Sequence, residues 1–169
     1  MALNPSSNRA HTLGRRRTAY GLVVALLCCF GTSALGGLLT ATSVSSWYLQ
    51  LVRPSWNPPG WLFGPVWTTL YAMMAVSVWL VWRASDKSKR AITVFAIQLV
   101  LNLLWSALFF GLRSPGLALL EILLLLAMIT LTIVEFSRLN RLAAALLVPY
   151  LLWTSFATVL NGAIYWLNR

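Results

Sequence analysis

The feature that most constrains this chain is a set of five apolar segments, each long enough to cross a lipid bilayer. A spanning helix needs about 20 mostly apolar residues. The qualifying segments are residues 20–42, 62–82, 91–112, 115–134 and 143–167. They show no alternation of period two, so we expect helices rather than the strands of a barrel. The sequence therefore predicts an all-α membrane protein built as a five-transmembrane-helix bundle.

Composition supports this prediction and limits what else the chain can contain. Only 9% of its 169 residues are charged, whereas soluble domains carry about 25%. The connections between the apolar segments are short, except for residues 43–61. We therefore predict a basic, disordered tail over residues 1–19 and a single membrane domain over residues 20–169.

The net charge of +10 would suggest a nucleic-acid partner in a soluble protein, but here its distribution indicates topology. Ten of the 13 basic residues flank the spans on one side: Arg9, Arg15, Arg16, Arg17, Arg83, Lys87, Lys89, Arg90, Arg138 and Arg141. Only Arg53, Arg113 and Arg169 fall on the other side. The positive-inside rule predicts that the N-terminus is inside and residues 43–61 are outside. We expect a bacterial inner membrane, with a mitochondrial or bacterial outer membrane as alternatives, and no nucleic-acid partner.

The residues that usually bind metals are too few and too scattered to predict a metal site. Cys28 and Cys29 are adjacent on the first span, and neighbouring residues on a helix do not face each other. His11 is the only histidine and falls in the tail. We predict no metal and no cofactor.

A stretch rich in aromatic residues and proline connects the first two spans. Residues 47–71 contain four tryptophans, two tyrosines and four prolines. Proline fixes φ and lacks a backbone donor, so Pro54, Pro58 and Pro59 cannot lie inside a regular helix. We predict that residues 47–60 form a stiff external lid, which also contains Arg53 and Asn57, and that the second span follows.

The third span places Gln98, Asn102, Trp105 and Phe109 on one helical face, at i, i+4, i+7 and i+11. Amides in hydrocarbon need partners, which they often find on a neighbouring helix. Two interpretations remain open. The face joins helices through hydrogen bonds, or it forms the wall of a ligand cavity.

The fifth span has the same character. Tyr150, Trp153, Ala157 and Asn161 recur at helical spacing. Pro149 should kink this helix, because a proline nitrogen cannot donate to the preceding turn. Together the two spans predict a tryptophan-lined interior that suits a flat, apolar ligand with polar edges.

Glu121 is the acidic residue that calls for an explanation. It lies two turns into the fourth span, about 9 Å along the axis, where a carboxylate costs at least ~2.5 kcal/mol. We expect it to face the bundle interior or to reach the outer interface, with Arg113 as a candidate partner. Asp86 and Glu135 lie near basic residues at helix ends, where they are expected to be surface charges.

Small residues on the first span predict close helix packing. Ser33, Gly37 and Ala41 are spaced four apart and form a small-xxx-small stripe. Such stripes let two backbones approach closely in a membrane.

Several segments resemble the TspO/MBR family of tryptophan-rich sensory and translocator proteins. They are Trp47-Tyr48, residues 53–59 (RPSWNPP), residues 64–71 (GPVWTTLY), residues 98–102 (QLVLN), residues 109–111 (FFG), Pro149-Tyr150 and Leu160-Asn161. The resemblance covers about residues 46–165 in order and includes the same layout of five spans.

The resemblance implies a membrane receptor or sensor for porphyrins such as protoporphyrin IX, which regulates tetrapyrrole handling or stress response. The positions that match the family's pocket are Trp56, Trp67, Asn102, Trp105, Phe109, Trp153, Ala157 and Leu160. Some bacterial members degrade porphyrins photo-oxidatively through two tryptophans, which match Trp67 and Trp153. Members are often homodimers.

Three functions remain open at this point: a binding protein, a light-dependent porphyrin-degrading enzyme, and a transporter of porphyrin or sterol. The spans contain no nucleophile–base constellation, which argues against most hydrolytic chemistry. They also contain no inverted repeat of the kind that usually accompanies alternating access.

Overall fold

A computed structural model of the chain describes residues 5–84 and 88–169, with side chains from Thr18 onward. The helices are α1 (Pro5–Val44), α2 (Trp47–Gln50), α3 (Gly60–Ala84), α4 (Lys89–Ser106), α5 (Pro115–Ser137), α6 (Arg141–Leu146) and α7 (Val148–Leu167). A π-helical turn, Ala107–Gly111, continues α4. His11, Asp86 and Lys87 lie outside the described side chains, and the prediction of a disordered tail over residues 1–19 stays a prediction.

Five helical segments are long and apolar enough to cross a membrane, as the sequence predicts. They are Thr18–Val44, Gly60–Ala84, Lys89–Gly111, Pro115–Ser137 and Arg141–Leu167. Each lies within a few residues of the predicted span. The all-α, five-span prediction is confirmed, and the chain is an integral, multi-pass membrane protein.

The five spans form a closed ring. Helix α1 packs between α3 and α4, and α5 packs between α4 and α7, while the short α6 connects α5 to α3. We call the end of the bundle at Val44, Gly60 and Leu167 the loop end, and the opposite end the basic end. Helix α3 contacts α6 closely at the basic end, but its backbone stays away from most of α7. Toward the loop end, the ring pairs Phe63–Trp153 and Trp67–Tyr150 lie between α3 and α7.

The fifth span is broken where the sequence predicts a kink. Helix α6 ends at Leu146, and α7 begins at Val148 with Pro149 in its first turn. Asn140 caps α6 by accepting a hydrogen bond from the Ala143 amide at 3.0 Å. The Ser77 hydroxyl donates to the Ala143 carbonyl at 2.7 Å and so ties α6 to α3.

The π turn at the end of α4 is a feature that the sequence pattern did not predict. Its wider hydrogen bonding includes the Leu112 amide donating to the Ala107 carbonyl at 2.8 Å. The Ser43 hydroxyl of α1 donates to the Phe110 carbonyl at 2.7 Å. Within the turn Phe109 is buried, and the Phe110 ring lies 5.8 Å from the Tyr48 ring.

The packing face of α1 differs from the predicted stripe. Its buried positions are Ala25, Cys29, Gly36 and Ser43. A Cβ at Gly36 would lie 3.4 Å from the Ser106 hydroxyl oxygen, at van der Waals distance, so α1 packs closely against α4 at this position. Gly37 and Ala41 are exposed, and the predicted stripe of Ser33, Gly37 and Ala41 is wrong by about one residue of helical phase.

Glu135 is also not the surface charge that its sequence position predicts. It is buried at the basic end of α5 and pairs with the Arg90 guanidinium at 3.1 Å and with Arg138 at 3.2 Å. The two arginines are themselves largely exposed. The carboxylate therefore joins α4 to α5 from within, while its partners reach the aqueous boundary.

One amide at the centre of the ring connects three helices. The Tyr71 hydroxyl of α3 donates to the Asn102 carbonyl oxygen of α4, and the Asn102 amide donates to the Tyr150 hydroxyl of α7 at 2.9 Å. All three side chains are buried. The interpretation of the α4 face as interhelical hydrogen bonding is correct at this position.

We predict that Asn102→Leu lowers the free energy of unfolding by about 1–2 kcal/mol, because it removes two interhelical hydrogen bonds worth roughly 0.6–1 kcal/mol each. Denaturant titration of the protein in detergent measures this change. Thr93→Val on the same helix is the control, since the exposed Thr93 hydroxyl bonds only to the Lys89 carbonyl of its own helix. Equal stability of Asn102→Leu and the natural sequence would contradict the prediction.

Candidate functional site

The loop that follows α2 is fixed by its own hydrogen bonds. The Tyr48 hydroxyl donates to the Asn57 side-chain oxygen at 3.0 Å, and the Asn57 amide donates to the Pro58 carbonyl at 2.9 Å. Burial raises the pKa of Tyr48, against the opposing effects of Arg53 and the bond to Asn57. The phenol therefore stays neutral and keeps its donor at physiological pH. These two bonds and the fixed φ of the prolines restrict the backbone of the loop, and its role as an external lid stays a prediction.

A second contact holds the loop to the end of α7. The Val52 amide donates to the Asn168 side-chain oxygen at 2.9 Å, and the Asn168 amide returns a bond to the Val52 carbonyl at 2.9 Å. The Asn168 amide also donates to the Ile164 carbonyl of α7 at 2.7 Å. We call this pair of bonds between Val52 and Asn168 the latch. Nothing in the sequence pattern pointed to Asn168.

The loop surrounds a shallow, open depression of about 430 Å³ with a mainly polar lining. Its walls are Leu51, Arg53, Pro54, Asn57, Pro58, Pro59 and Gly60. The five residues that the sequence assigned to the lid thus line one concave surface. The Arg53 guanidinium lies 5.4 Å from the centre of the Tyr48 ring and brings a positive charge to this surface.

Trp56 connects the lid to an aromatic cluster between α3 and α7. Its side chain is 47% exposed and meets Phe156 edge-on, with ring centres 5.9 Å apart. Phe156 lies 5.5 Å from Trp153, which meets Phe63 of α3 edge-on at 5.8 Å. The rings therefore continue from the lid across α7 to α3. Phe63 and Phe156 were not among the predicted site residues, although both lie next to residues that were.

Trp67 lies one layer deeper, at the central hydrogen-bond network. It is half-buried, 5.7 Å from the Tyr71 ring and 6.2 Å from the Tyr150 ring. Both of these tyrosines bond to Asn102. The hydrogen bonds to Asn102 therefore position the two tyrosine rings against which Trp67 packs.

The predicted face of α4 lies against α7 and the lid. Trp105 stacks on Phe109 at 5.2 Å and donates its indole N–H to the Asn161 side-chain oxygen at 3.1 Å. Asn161 in turn donates to the Pro115 carbonyl at 2.8 Å. Trp47 meets Phe109 edge-on at 5.7 Å. Hydrogen bonding and aromatic packing therefore occur together on one face.

The remaining predicted pocket residues lie on α7. Ala157 is half-buried against the main core, and Leu160 is buried in a smaller cluster with Phe109. The predicted residues thus occupy the loop-end half of one bundle, packed against one another in several aromatic groups. The open depression lies above them. Among the described residues, no group of three or more His, Cys, Asp or Glu side chains is placed to hold a metal.

Comparison with known proteins gives a consistent family. The sequence model of the TspO/MBR family matches residues 23–167. The tryptophan-rich protein TspO of Chlorobaculum tepidum is 44% identical over 151 residues, covering 87% of this chain and 95% of the relative. The human translocator protein is 41% identical over 123 residues, 70% of this chain and 73% of the relative. The tryptophan-rich sensory protein of Cereibacter sphaeroides is 34% identical over 149 residues, which cover 88% of this chain and 92% of the relative. The chain therefore belongs to the TspO/MBR family.

Proposed function

We propose that this protein is a membrane receptor that binds a porphyrin beneath the lid, between α3 and α7. The observation that carries the proposal is the pair of half-buried tryptophans on these two helices, Trp67 and Trp153. The α3 backbone stays away from most of α7, and the ring pairs Phe63–Trp153 and Trp67–Tyr150 meet between the two helices. Flat conjugated rings pack favourably against indoles. A planar macrocycle could replace some of the ring–ring contacts that fill this space.

The charge at the lid fits the polar edge of such a ligand. A porphyrin such as protoporphyrin IX carries carboxylates on one edge, and Arg53 is the cationic side chain that lines the depression. Charge-assisted hydrogen bonds between a guanidinium and a carboxylate are stronger than neutral ones. In this proposal the carboxylates lie at Arg53 and the apolar ring extends down toward Trp153. The names of the relatives, sensory protein and translocator protein, agree with a role in sensing or moving such a ligand.

The proposal also includes an orientation in the membrane. Arg83, Lys89, Arg90, Arg138 and Arg141 lie at the basic end. By the positive-inside rule this end faces the cytoplasm, and the lid faces the other side of a bacterial inner membrane. The ligand would then enter from outside the cytoplasm.

We predict that the double variant Trp67→Phe/Trp153→Phe weakens protoporphyrin IX binding about tenfold. This corresponds to 1.4 kcal/mol, consistent with two aromatic contacts at roughly 0.5–1.5 kcal/mol each. The measurement is the shift of the porphyrin absorption band on titration in the dark. Trp61→Phe is the matched control, because Trp61 is 73% exposed at the loop end and makes none of the contacts described above.

The same titration separates two ways in which the proposal could fail. If the natural sequence gives no saturable shift, the protein does not bind the porphyrin. If all three proteins give the same dissociation constant, the porphyrin binds elsewhere than between Trp67 and Trp153.

We further predict that Asn168→Ala raises the porphyrin association and dissociation rates about fivefold each. The substitution removes the two bonds of the latch, each of which contributes roughly 0.5–1.5 kcal/mol, so the lid opens more often. Stopped-flow measurement of the absorption band gives both rates. Arg169→Ala is the control, because the Arg169 guanidinium lies over the Trp166 ring rather than on the lid. Rates that do not differ from those of the control would show that the latch does not limit access.

A further inference from the structure

Two arginines at the basic end of α4 and α5 are held together by one carboxylate. Of the acidic side chains that the structure describes, Glu135 alone forms ion pairs. Glu121 pairs neither with Arg113, as the sequence suggested, nor with another described cation. The Arg90 and Arg138 guanidiniums both contact the same Glu135 oxygen, at 3.1 and 3.2 Å. Because they share this atom, the two contacting nitrogens are no farther apart than the sum of these distances. We call Arg90 and Arg138 the arginine pair.

The arginine pair retains one positive charge that Glu135 does not neutralise. The Glu135 side chain is only 10% exposed, whereas those of Arg90 and Arg138 are 74% and 64% exposed. A guanidinium has five N–H donors, and each arginine contacts Glu135 through one nitrogen. Several donors of each arginine are therefore accessible to an anion outside the bundle, while the carboxylate lies behind them.

An exposed, mainly apolar stripe leads from each arginine along its helix. The exposed residues nearest the arginines are Thr93, Ile97 and Val100 on α4, and Val134, Leu131 and Ala127 on α5. They are spaced three or four apart from one another and from the arginine, so each set lies on one helical face. The two helices pack against each other, with the Phe95 and Phe136 rings stacked at 5.9 Å near the arginine pair. We infer that the two stripes lie side by side and both end at the arginine pair.

The length of α5 sets the arginine pair at the level of lipid headgroups. Helix α5 has 23 residues, which is about 34 Å at 1.5 Å per residue and slightly more than the ~30 Å hydrocarbon core. Arg138 directly follows its last residue. The charged end of this surface is therefore at the membrane boundary, and the apolar stripes are at the depth of the acyl chains.

Charge distinguishes between the partners that could cover this surface. A second copy of the chain, placed in the same orientation in the membrane, would bring two arginine pairs of like charge together. Helix α4 also contains no glycine that would let two backbones approach closely. An anionic phospholipid has the complementary chemistry, because a phosphate accepts the charge-assisted hydrogen bonds of guanidiniums. Its two acyl chains match the two stripes.

We propose that Arg90 and Arg138 bind the phosphate of an anionic phospholipid whose acyl chains lie along the exposed stripes of α4 and α5. Basic groups between transmembrane helices at the membrane boundary are suited to such headgroups. The site is on the outer surface of the bundle, at the opposite end from the lid, and it does not depend on porphyrin binding. Glu135 acts as a positioning residue that holds the two guanidiniums close together.

Native mass spectrometry of the full chain tests the headgroup contacts. The protein is equilibrated in detergent with equal amounts of dioleoyl phosphatidylglycerol and dioleoyl phosphatidylcholine, which differ only in the headgroup. We expect the natural sequence to retain phosphatidylglycerol about tenfold over phosphatidylcholine, because each arginine near the headgroup favours the anionic lipid. The double variant Arg90→Gln/Arg138→Gln should retain the two lipids about equally.

The matched control is Arg83→Gln/Arg141→Gln, which removes the same charge from the same end of the bundle but on α3 and α6. It should keep the preference for phosphatidylglycerol. Absence of a preference in the natural sequence overturns the proposal. An equal loss of preference in both double variants also overturns it, because net charge and not this site would then attract the lipid.

A second variant tests the acyl-chain contacts and leaves both ion pairs of Glu135 intact, so it stays informative where loss of the ion pairs unfolds the first variant. Ile97→Trp/Leu131→Trp places large rings on the two stripes. It should lower phosphatidylglycerol retention at least about threefold, because the rings displace acyl-chain contacts. Leu152→Trp/Val159→Trp on α7 is the control, since both positions are exposed on a different helix. Unchanged retention in Ile97→Trp/Leu131→Trp would overturn the proposal.

Two further measurements on the same samples separate the lipid from other occupants. Excess inorganic phosphate should not displace phosphatidylglycerol, because the ion lacks acyl chains. Displacement would mean that the arginine pair holds a free phosphate, and would overturn the proposal. Mass photometry gives the oligomeric state. A dimer that Ile97→Trp/Leu131→Trp converts to a monomer, with lipid retention unchanged, would mean that this surface binds a second copy of the chain instead.

Discussion

The bundle depends on one buried amide shared by two phenols. Asn102 accepts from Tyr71 and donates to Tyr150, so one side chain links α3, α4 and α7. In hydrocarbon there is little hydrophobic drive between helices, so close packing and interhelical hydrogen bonds decide which faces meet. The two tyrosines also contact the Trp67 ring. The same hydrogen bonds that define the ring thus set the position of the deepest aromatic residue of the candidate site.

The candidate site lies between the membrane spans, which form its rigid floor, and the loop of residues 47–60, which forms a more weakly held roof. The floor consists of spans whose backbone hydrogen bonds are internal to each helix and whose polar side chains bond across the bundle. The roof is held by the latch between Val52 and Asn168 and by the contact of Trp56 with Phe156. Exposed hydrogen bonds open with a smaller free energy than buried ones. Opening of this loop therefore requires less disruption than separation of the spans.

The sequence predicts those parts of this fold that depend on length and on local chemistry. The spans follow from apolar length, and the break before α7 follows from Pro149. The sequence did not predict which face of α1 packs against the other helices. Gly36 is buried, and the neighbouring Gly37 is exposed. Lipid is as apolar as a protein core, so hydrophobicity does not distinguish the two faces of such a helix. The π turn and the latch also escaped prediction, because each depends on a tertiary contact, with Ser43 and Asn168 respectively.

In a membrane protein, polar residues indicate which face of a helix is buried, because apolar residues suit lipid and the protein interior equally well. The buried face of α4 is visible in the sequence because Gln98 and Asn102 repeat at helical spacing, and both are buried. For Glu121, whose depth in α5 left both the bundle interior and the outer interface open, the burial of the side chain agrees with the first. Asn102 is satisfied by protein groups alone, whereas Gln98 and Glu121 lack partners among the described residues. One face of α4 therefore carries a direct link between helices at Asn102 and, one turn away, a buried amide at Gln98 without a protein partner among the described residues.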